Sequence, residues 1–295
     1  MVQQLPKPLI DLYNVYIHGG MSRREFMEGI EKFAVGGLTV AAISGALMPN
    51  YALGEVVPKN DSRLKIETVT VPSPQGNTNI KGQFARPASA AATAKLPGIL
   101  VVHENRGLNP HIEDIGRRLA LAGFNTFAPD GLTSVGGYPG DDEKGGQLFG
   151  TVNGPKMQED FFAAATWLKA RPDSNGKVGV TGFCFGGGVS NNLAVRMGAD
   201  LAAAVPFYGQ APQAADVPKI KAAVLVHHGA TDTRLVAAWP AYEAALKAAG
   251  VTYEGYIYEG AGHGFNNDAT AARYNEAASK LAMQRTEAWF KKYLA

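Results

Sequence analysis

The chain has 295 residues, of which 46% are hydrophobic and 18% charged, and its net charge is +2 at pH 7. That composition supplies a sizeable core and excludes wholesale disorder, and without a long basic run it argues against nucleic acid as the main partner. The lone cysteine, Cys184, cannot form an internal disulfide, and no CxxC or HExxH motif is present, so neither a metal nor another cofactor is expected.

Residues 1–60 admit two readings. Leu9, Leu12, Tyr13, Tyr16 and Ile17 recur at helical spacing, and His18-Gly19-Gly20 stops that helix. Ser22, with Glu25 three residues on, forms a capping box that opens a second helix. Together they make an N-terminal helical arm, a surface through which a homo-oligomer can form. Alternatively, Ser22-Arg23-Arg24-Glu25-Phe26-Met27 resembles a twin-arginine export signal, with residues 33–48 as its apolar region and Ala52 near an imperfect cleavage point. The stretch ahead of Arg23 is long for such a signal. The apolar run is too short and too glycine-rich for a stable membrane span. The docked arm is the preferred reading, and with it a cytoplasmic location; the alternative is a periplasmic one.

From Arg63 the pattern changes. "RLKIETVTVPS" and "NIKGQFARP" alternate as strands of a hairpin joined by "PQGNT". "LPGILVVHE" reads as a buried parallel strand, "HIEDIGRRLALAG" as a helix ended by Gly123, and "FNTFAPD" as the next strand. "GLTSVGGYPGDDEKGGQLFG" reads as a long loop, "PKMQEDFFAAATWLKAR" as a helix and "GKVGVTG" as a strand. "LAAAVPFYG", "KAAVLVHHG" and "TYEGYIYEG" are further strands, with helices near residues 239–249 and from Arg273 to the end. Residues 61–295 thus predict one α/β domain, a mostly parallel sheet with helices on both faces. His227 and His228 point to opposite faces of their strand, which is poor metal-ligand geometry.

Chemistry in such a sheet belongs at the carboxyl ends of the strands. There, "GFCFG" sets Cys184 between Gly182 and Gly186, at a tight strand-to-helix turn. The following helix aims its positive end at the sulfur and favours thiolate. His263 in "GAGHGF" and Asp232 in "HHGATDTR" follow two later strands, giving the chain order nucleophile, acid, histidine. Each has a plainer reading: inert burial for the cysteine, a turn residue for Asp232, a surface loop for His263. Glu104 follows another strand, and the backbone N–H groups of Phe185 and Asn105 are candidate oxyanion donors.

These segments resemble the dienelactone hydrolase family, the carboxymethylenebutenolidases. The likeness runs from about residue 63 to the C-terminus, on "VVHENRGLNPHIEDIGRRLALAGF", "FAPDGL", "GVTGFCFGGG", "PFYG", "HHGATDTR" and "GAGHGF". It implies an α/β-hydrolase fold and a Cys184-Asp232-His263 triad that cleaves an ester or lactone through a thioester. It also implies that Glu104 stands beside the resting thiol and takes its proton when substrate binds. The family's two substrate-binding arginines fall here on Ser134 and Asn267. Arg106, Arg234, Asn267 and Arg273 are therefore candidates for contacting a small-molecule ester or lactone. The competing readings are a general carboxylesterase or acyltransferase and, in another class, a redox-sensing or binding protein whose cysteine never turns over.

Overall fold

Leu64–Ser73 (β1) and Thr78–Pro87 (β2) pair antiparallel along their whole length, as their alternation predicts. The computed structural model describes residues 5–17, 19–34, 39–91 and 93–295. After the hairpin come Leu96–Val102 (β3), Asn125–Asp130 (β4), Ser174–Phe183 (β5), Ala203–Phe207 (β6), Ala223–Gly229 (β7) and Tyr253–Tyr258 (β8). They form one sheet in the order β1-β2-β4-β3-β5-β6-β7-β8, antiparallel where β2 meets β1 and β4, and parallel elsewhere.

Side chains alternate across the sheet. Leu100 and Val102 face one core with Phe161, Leu193 and Leu246, whereas Ile99 and Val101 face the other with Ile115 and Phe290. Gly154–Ala170 (α7), Phe185–Met197 (α8) and Thr233–Ala248 (α9) cover the first face; Pro110–Leu121 (α5) and Glu276–Leu294 (α10) cover the second. The loop expected over 131–150 instead contains a helix, Asp142–Phe149 (α6), capped by Asp141. Gly145 and Gly146 hide its pattern. A Cβ on Gly145 would lie 2.4 Å from the Arg106 carbonyl, so close packing requires the glycine. Helix α9 starts at Thr233 rather than near Trp239, because Asp232 caps it. Helix α10 starts at Glu276 rather than Arg273, capped by Asn275.

Ahead of β1 lie Lys7–Ile17 (α1), Arg23–Glu31 (α2), Val40–Leu47 (α3) and Tyr51–Gly54 (α4). Both capping-box bonds form: the Glu25 N–H donates to the Ser22 hydroxyl and the Ser22 N–H to the Glu25 carboxylate. Leu9, Tyr13, Phe26, Ile30, Ile43 and Leu47 share a buried cluster. The twin arginines are both ion-paired, Arg23 with Glu143 on α6 and Arg24 with Glu28. His18 and residues 35–38, part of the helix stop and of the apolar run, lie outside the described residues. Among the described residues no helix is long and apolar enough to cross a membrane.

The connector after α4 is locked to α5. Asp114, 1% exposed, accepts the N–H groups of Val56 and Val57 at 2.9 and 2.8 Å and bonds Arg118. Arg117, fully buried, donates to the Val57 carbonyl and to Gln83. Removing one partner from such a network leaves a buried charge uncompensated, so Asp114→Ala should cost about 3–5 kcal/mol in chemical denaturation. A loss below about 1 kcal/mol would show that water or another group readily replaces the carboxylate.

Candidate active site

Strand β5 ends at Phe183 and α8 begins at Phe185, which leaves Cys184 alone on the bend with φ 54° and ψ −110°. A non-glycine residue there holds strain of about 1–3 kcal/mol, kept in place by the surrounding structure. The bend closes because Gly182 and Gly186 nearly touch: a Cβ on Gly182 would lie 2.1 Å from the Gly186 carbonyl. The Cys184 N–H donates to the Phe207 carbonyl of β6, and its own carbonyl receives the N–H groups of Gly187 and Gly188. Phe185, first residue of α8, has no intrahelical acceptor for its N–H. The sulfur, partly exposed, thus stands over a helix N-terminus at the carboxyl end of the sheet.

Asp232 follows β7 and His263 follows β8. His263 Nδ1 lies 2.6 Å from Asp232 Oδ2, and the other Asp232 oxygen caps α9 at the Leu235 N–H. The turn-residue reading of Asp232 and the acid reading therefore describe the same side chain. His263 also interacts with Cys184. Burial favours its neutral form. The Cys184 charge, the bonds to Asp232 and Cys184 and the Asp232 charge outweigh that and push its pKa up to about 10. Burial raises the Asp232 carboxyl, but the bond to His263 and its charge bring it below its ordinary value.

The neighbouring histidines behave differently. Burial holds His228 down to about 4 and His227 well below its ordinary value. His227 bonds Tyr258 and Thr286 in the core. Among the described residues no group of three or more His, Cys, Asp or Glu side chains could hold a metal ion.

Glu104, 7% exposed, follows β3. It acts electrostatically on Tyr208 and Arg273, as Cys184 does, so these four groups form one cluster. Burial works against the Arg273 charge, but Tyr13, Glu104, Tyr208 and Cys184 together raise its pKa. Tyr208, 1% exposed at φ 38°, sets its ring 5.0 Å from that of His263. The sequence reading missed Tyr208, although "PFYG" marks the end of β6; an aromatic residue beside an apolar strand reads simply as core.

Two cavities meet at this cluster. One, of about 510 Å³, is lined by Cys184, Phe185, Asn105, Arg234 and His263 among others; the second, of about 850 Å³, by Arg234, His263, Arg273 and one side of α1. Arg234 therefore borders the site. Arg106 and Asn267, the other two candidates for substrate contact, line neither cavity. Arg106 donates to the Ile17 carbonyl of the arm at 2.8 Å. Asn267, 2% exposed, accepts the Ala269 N–H and shapes a turn.

The dienelactone hydrolase family matches residues 80–294. The chain is 32% identical over 248 residues to the "Putative carboxymethylenebutenolidase" of Salmonella typhimurium, covering 79% of this chain and 89% of that protein. It is 50% identical over 111 residues to the "Putative hydrolase fragment YghX" of Escherichia coli K12, or 38% of this chain and 93% of that one. The crystal structure of a "Putative Dienelactone Hydrolase" from Klebsiella pneumoniae superposes with a TM-score of 0.68 at 30% identity, over 78% of this chain and 99% of that chain. The family match over residues 80–294, the relatives' identity over most of the chain and the shared α/β sheet place the chain in the dienelactone hydrolase family, as a hydrolase of carboxylic ester or lactone bonds.

Proposed function

We propose that the chain cleaves its ester or lactone through a Cys184-Asp232-His263 triad and a thioester intermediate. The observation that carries this reading is the 2.6 Å bond between His263 and Asp232 beside Cys184, with an imidazole pushed up to about 10 by the sulfur and the carboxylate. In this reading His263 holds the proton and the sulfur reacts as thiolate. The thiolate attacks the carbonyl carbon, and the oxyanion is held by the N–H groups of Phe185 and Asn105. Imidazolium then gives its proton to the leaving alkoxide as the carbon–oxygen bond breaks. A water molecule, deprotonated by His263, releases the acid and regenerates the thiolate. Asp232 fixes the tautomer and stabilises the imidazolium throughout. The resemblance routes the thiol proton to Glu104; the pull of the Cys184 charge on His263 favours the imidazole instead, and Glu104 favours the cation of Arg273 and the neutral phenol of Tyr208.

Asp232→Asn should lower kcat by about 10⁴ with little change in KM, because the imidazole then adopts the wrong tautomer. A fall of less than about tenfold would remove Asp232 from the mechanism. The substrate class is tested by small open-chain esters set against five-membered unsaturated lactones. Ser134 and Asn267 stand where the family's cations are expected, and this favours the general carboxylesterase reading. Faster turnover of the lactones would instead favour a carboxymethylenebutenolide-like substrate.

A further inference from the structure

The arm does more than pack on the domain. Its helix α1 ends at Ile17, whose carbonyl accepts the side-chain N–H groups of both Asn105 and Arg106 at 2.8 Å. Asn105 is the residue whose backbone N–H was assigned to the oxyanion, so the arm grips the loop that carries it. Tyr13, 4% exposed, sets its ring 5.3 Å from the Arg273 guanidinium. Ile10, Asn14 and Val15, all on α1, line the 850 Å³ cavity together with Arg234, His263 and Arg273.

The two cavities differ in which catalytic group they hold. Cys184 and Phe185 line only the smaller one, whereas His263 lines both. In the tetrahedral intermediate the former carbonyl carbon is bonded to the sulfur, and its oxyanion points to Phe185. The alcohol oxygen must face His263 to receive the proton as its bond to carbon breaks. The chamber that His263 shares with α1 offers the alcohol portion a path away from the sulfur and the Phe185 N–H, which line only the smaller cavity. We propose that this chamber is a leaving-group subsite and that α1 is its wall, so the enzyme takes esters of a bulky alcohol. The inference rests on the proposed hydrolytic mechanism. A volume of about 850 Å³ accommodates a drug-sized group, far more than a methyl or ethyl alcohol needs. Its lining mixes the apolar Ile10 with Asn14 and two arginines, which suits an alcohol with both apolar and polar parts.

The test uses the full chain and a matched set of esters: methyl butyrate, 2-naphthylmethyl butyrate and methyl octanoate. Ile10→Ala widens the chamber and Ile10→Trp fills it. The ratio of kcat/KM for the naphthylmethyl ester over the methyl ester should rise in the first variant and fall in the second, by about tenfold each. The octanoate-to-butyrate ratio, which reports the acyl side, should hardly respond. Opposite signs from one position cannot come from a loosened arm, and thermal unfolding of both variants checks that the arm stays docked. The inference is overturned if both variants depress all three esters alike, or if the acyl ratio moves instead. If the wild-type protein hydrolyses none of the esters, the hydrolytic reading itself fails.

Discussion

Cys184→Ala is expected to abolish ester hydrolysis, with a loss in kcat of about 10⁴ or more, while the fold survives. The side chain is small and partly exposed, so its removal leaves no large core cavity. The loss is chemical: no other cysteine is present to replace the nucleophile. The same variant has a second readout. Two of the causes that raise His263, the sulfur's charge and its hydrogen bond, vanish, so the imidazole pKa must fall from about 10. In the wild type the protonated imidazole contributes stability that is fully present below its unfolded value of 6.5 and is lost as pH rises through about 10. In Cys184→Ala that loss should begin at a lower pH, which a titration of His263 by NMR follows directly. Comparison with Cys184→Gly isolates the strain. Both lack the sulfur, but glycine accepts φ 54° freely, so the glycine variant should be more stable than alanine by about 1 kcal/mol. Equal stability would mean that the bend is unstrained.

Gly186→Ala is the second large effect. An ideal Cβ at Gly186 would lie 2.3 Å from the Val102 carbonyl and 2.7 Å from that of His103. Both are backbone atoms at the end of the central strand β3, and neither can swing aside as a flexible side chain would. Helix α8 must back away from the sheet, or the strand must bend. Core overpacking of this kind costs about 1–3 kcal/mol and more where backbone is displaced, so the denaturation midpoint should drop clearly. Activity should fall further than stability, because a shift of about 1 Å at the start of α8 misplaces the sulfur and the Phe185 N–H together, and such a shift can cost about 100-fold. A variant with wild-type kcat would show that the near-contact at Gly186 does not set the nucleophile's position. Gly188 provides a control on the same helix: its Cβ would meet nothing closer than 3.9 Å.

What could be read in the sequence was whatever is encoded locally. The strand-to-helix bend at Cys184 declares itself through Gly182 and Gly186, and each buried strand through its apolar run. Asp232 and His263 could be named because strand ends are visible and the site of an open α/β sheet lies there. Helix α6 was hidden because Gly145 and Gly146 break the helical pattern, and the reason for them, contact with Arg106, lies elsewhere in the chain. Arg106 looked like a substrate contact by proximity to Glu104, yet its guanidinium is claimed by Ile17, far away in sequence. Asn267 was read from a family position, but Ala269 two residues on takes its side chain. Tyr208 and the wall formed by α1 were illegible for the same reason: their roles come from long-range neighbours, and no local periodicity reports those.

The measurement that bears most directly on the central claim is rapid-quench intact-mass spectrometry with an activated ester, followed by peptide mapping. The wild-type chain should gain the mass of one acyl group, on the peptide that contains Cys184, and should lose it to neutral hydroxylamine as a thioester does. Asp232→Asn should form and release the same adduct more slowly, and Cys184→Ala should form none. Steady turnover with no acyl group on Cys184 at any time, or undiminished turnover by Cys184→Ala, would contradict the thioester mechanism.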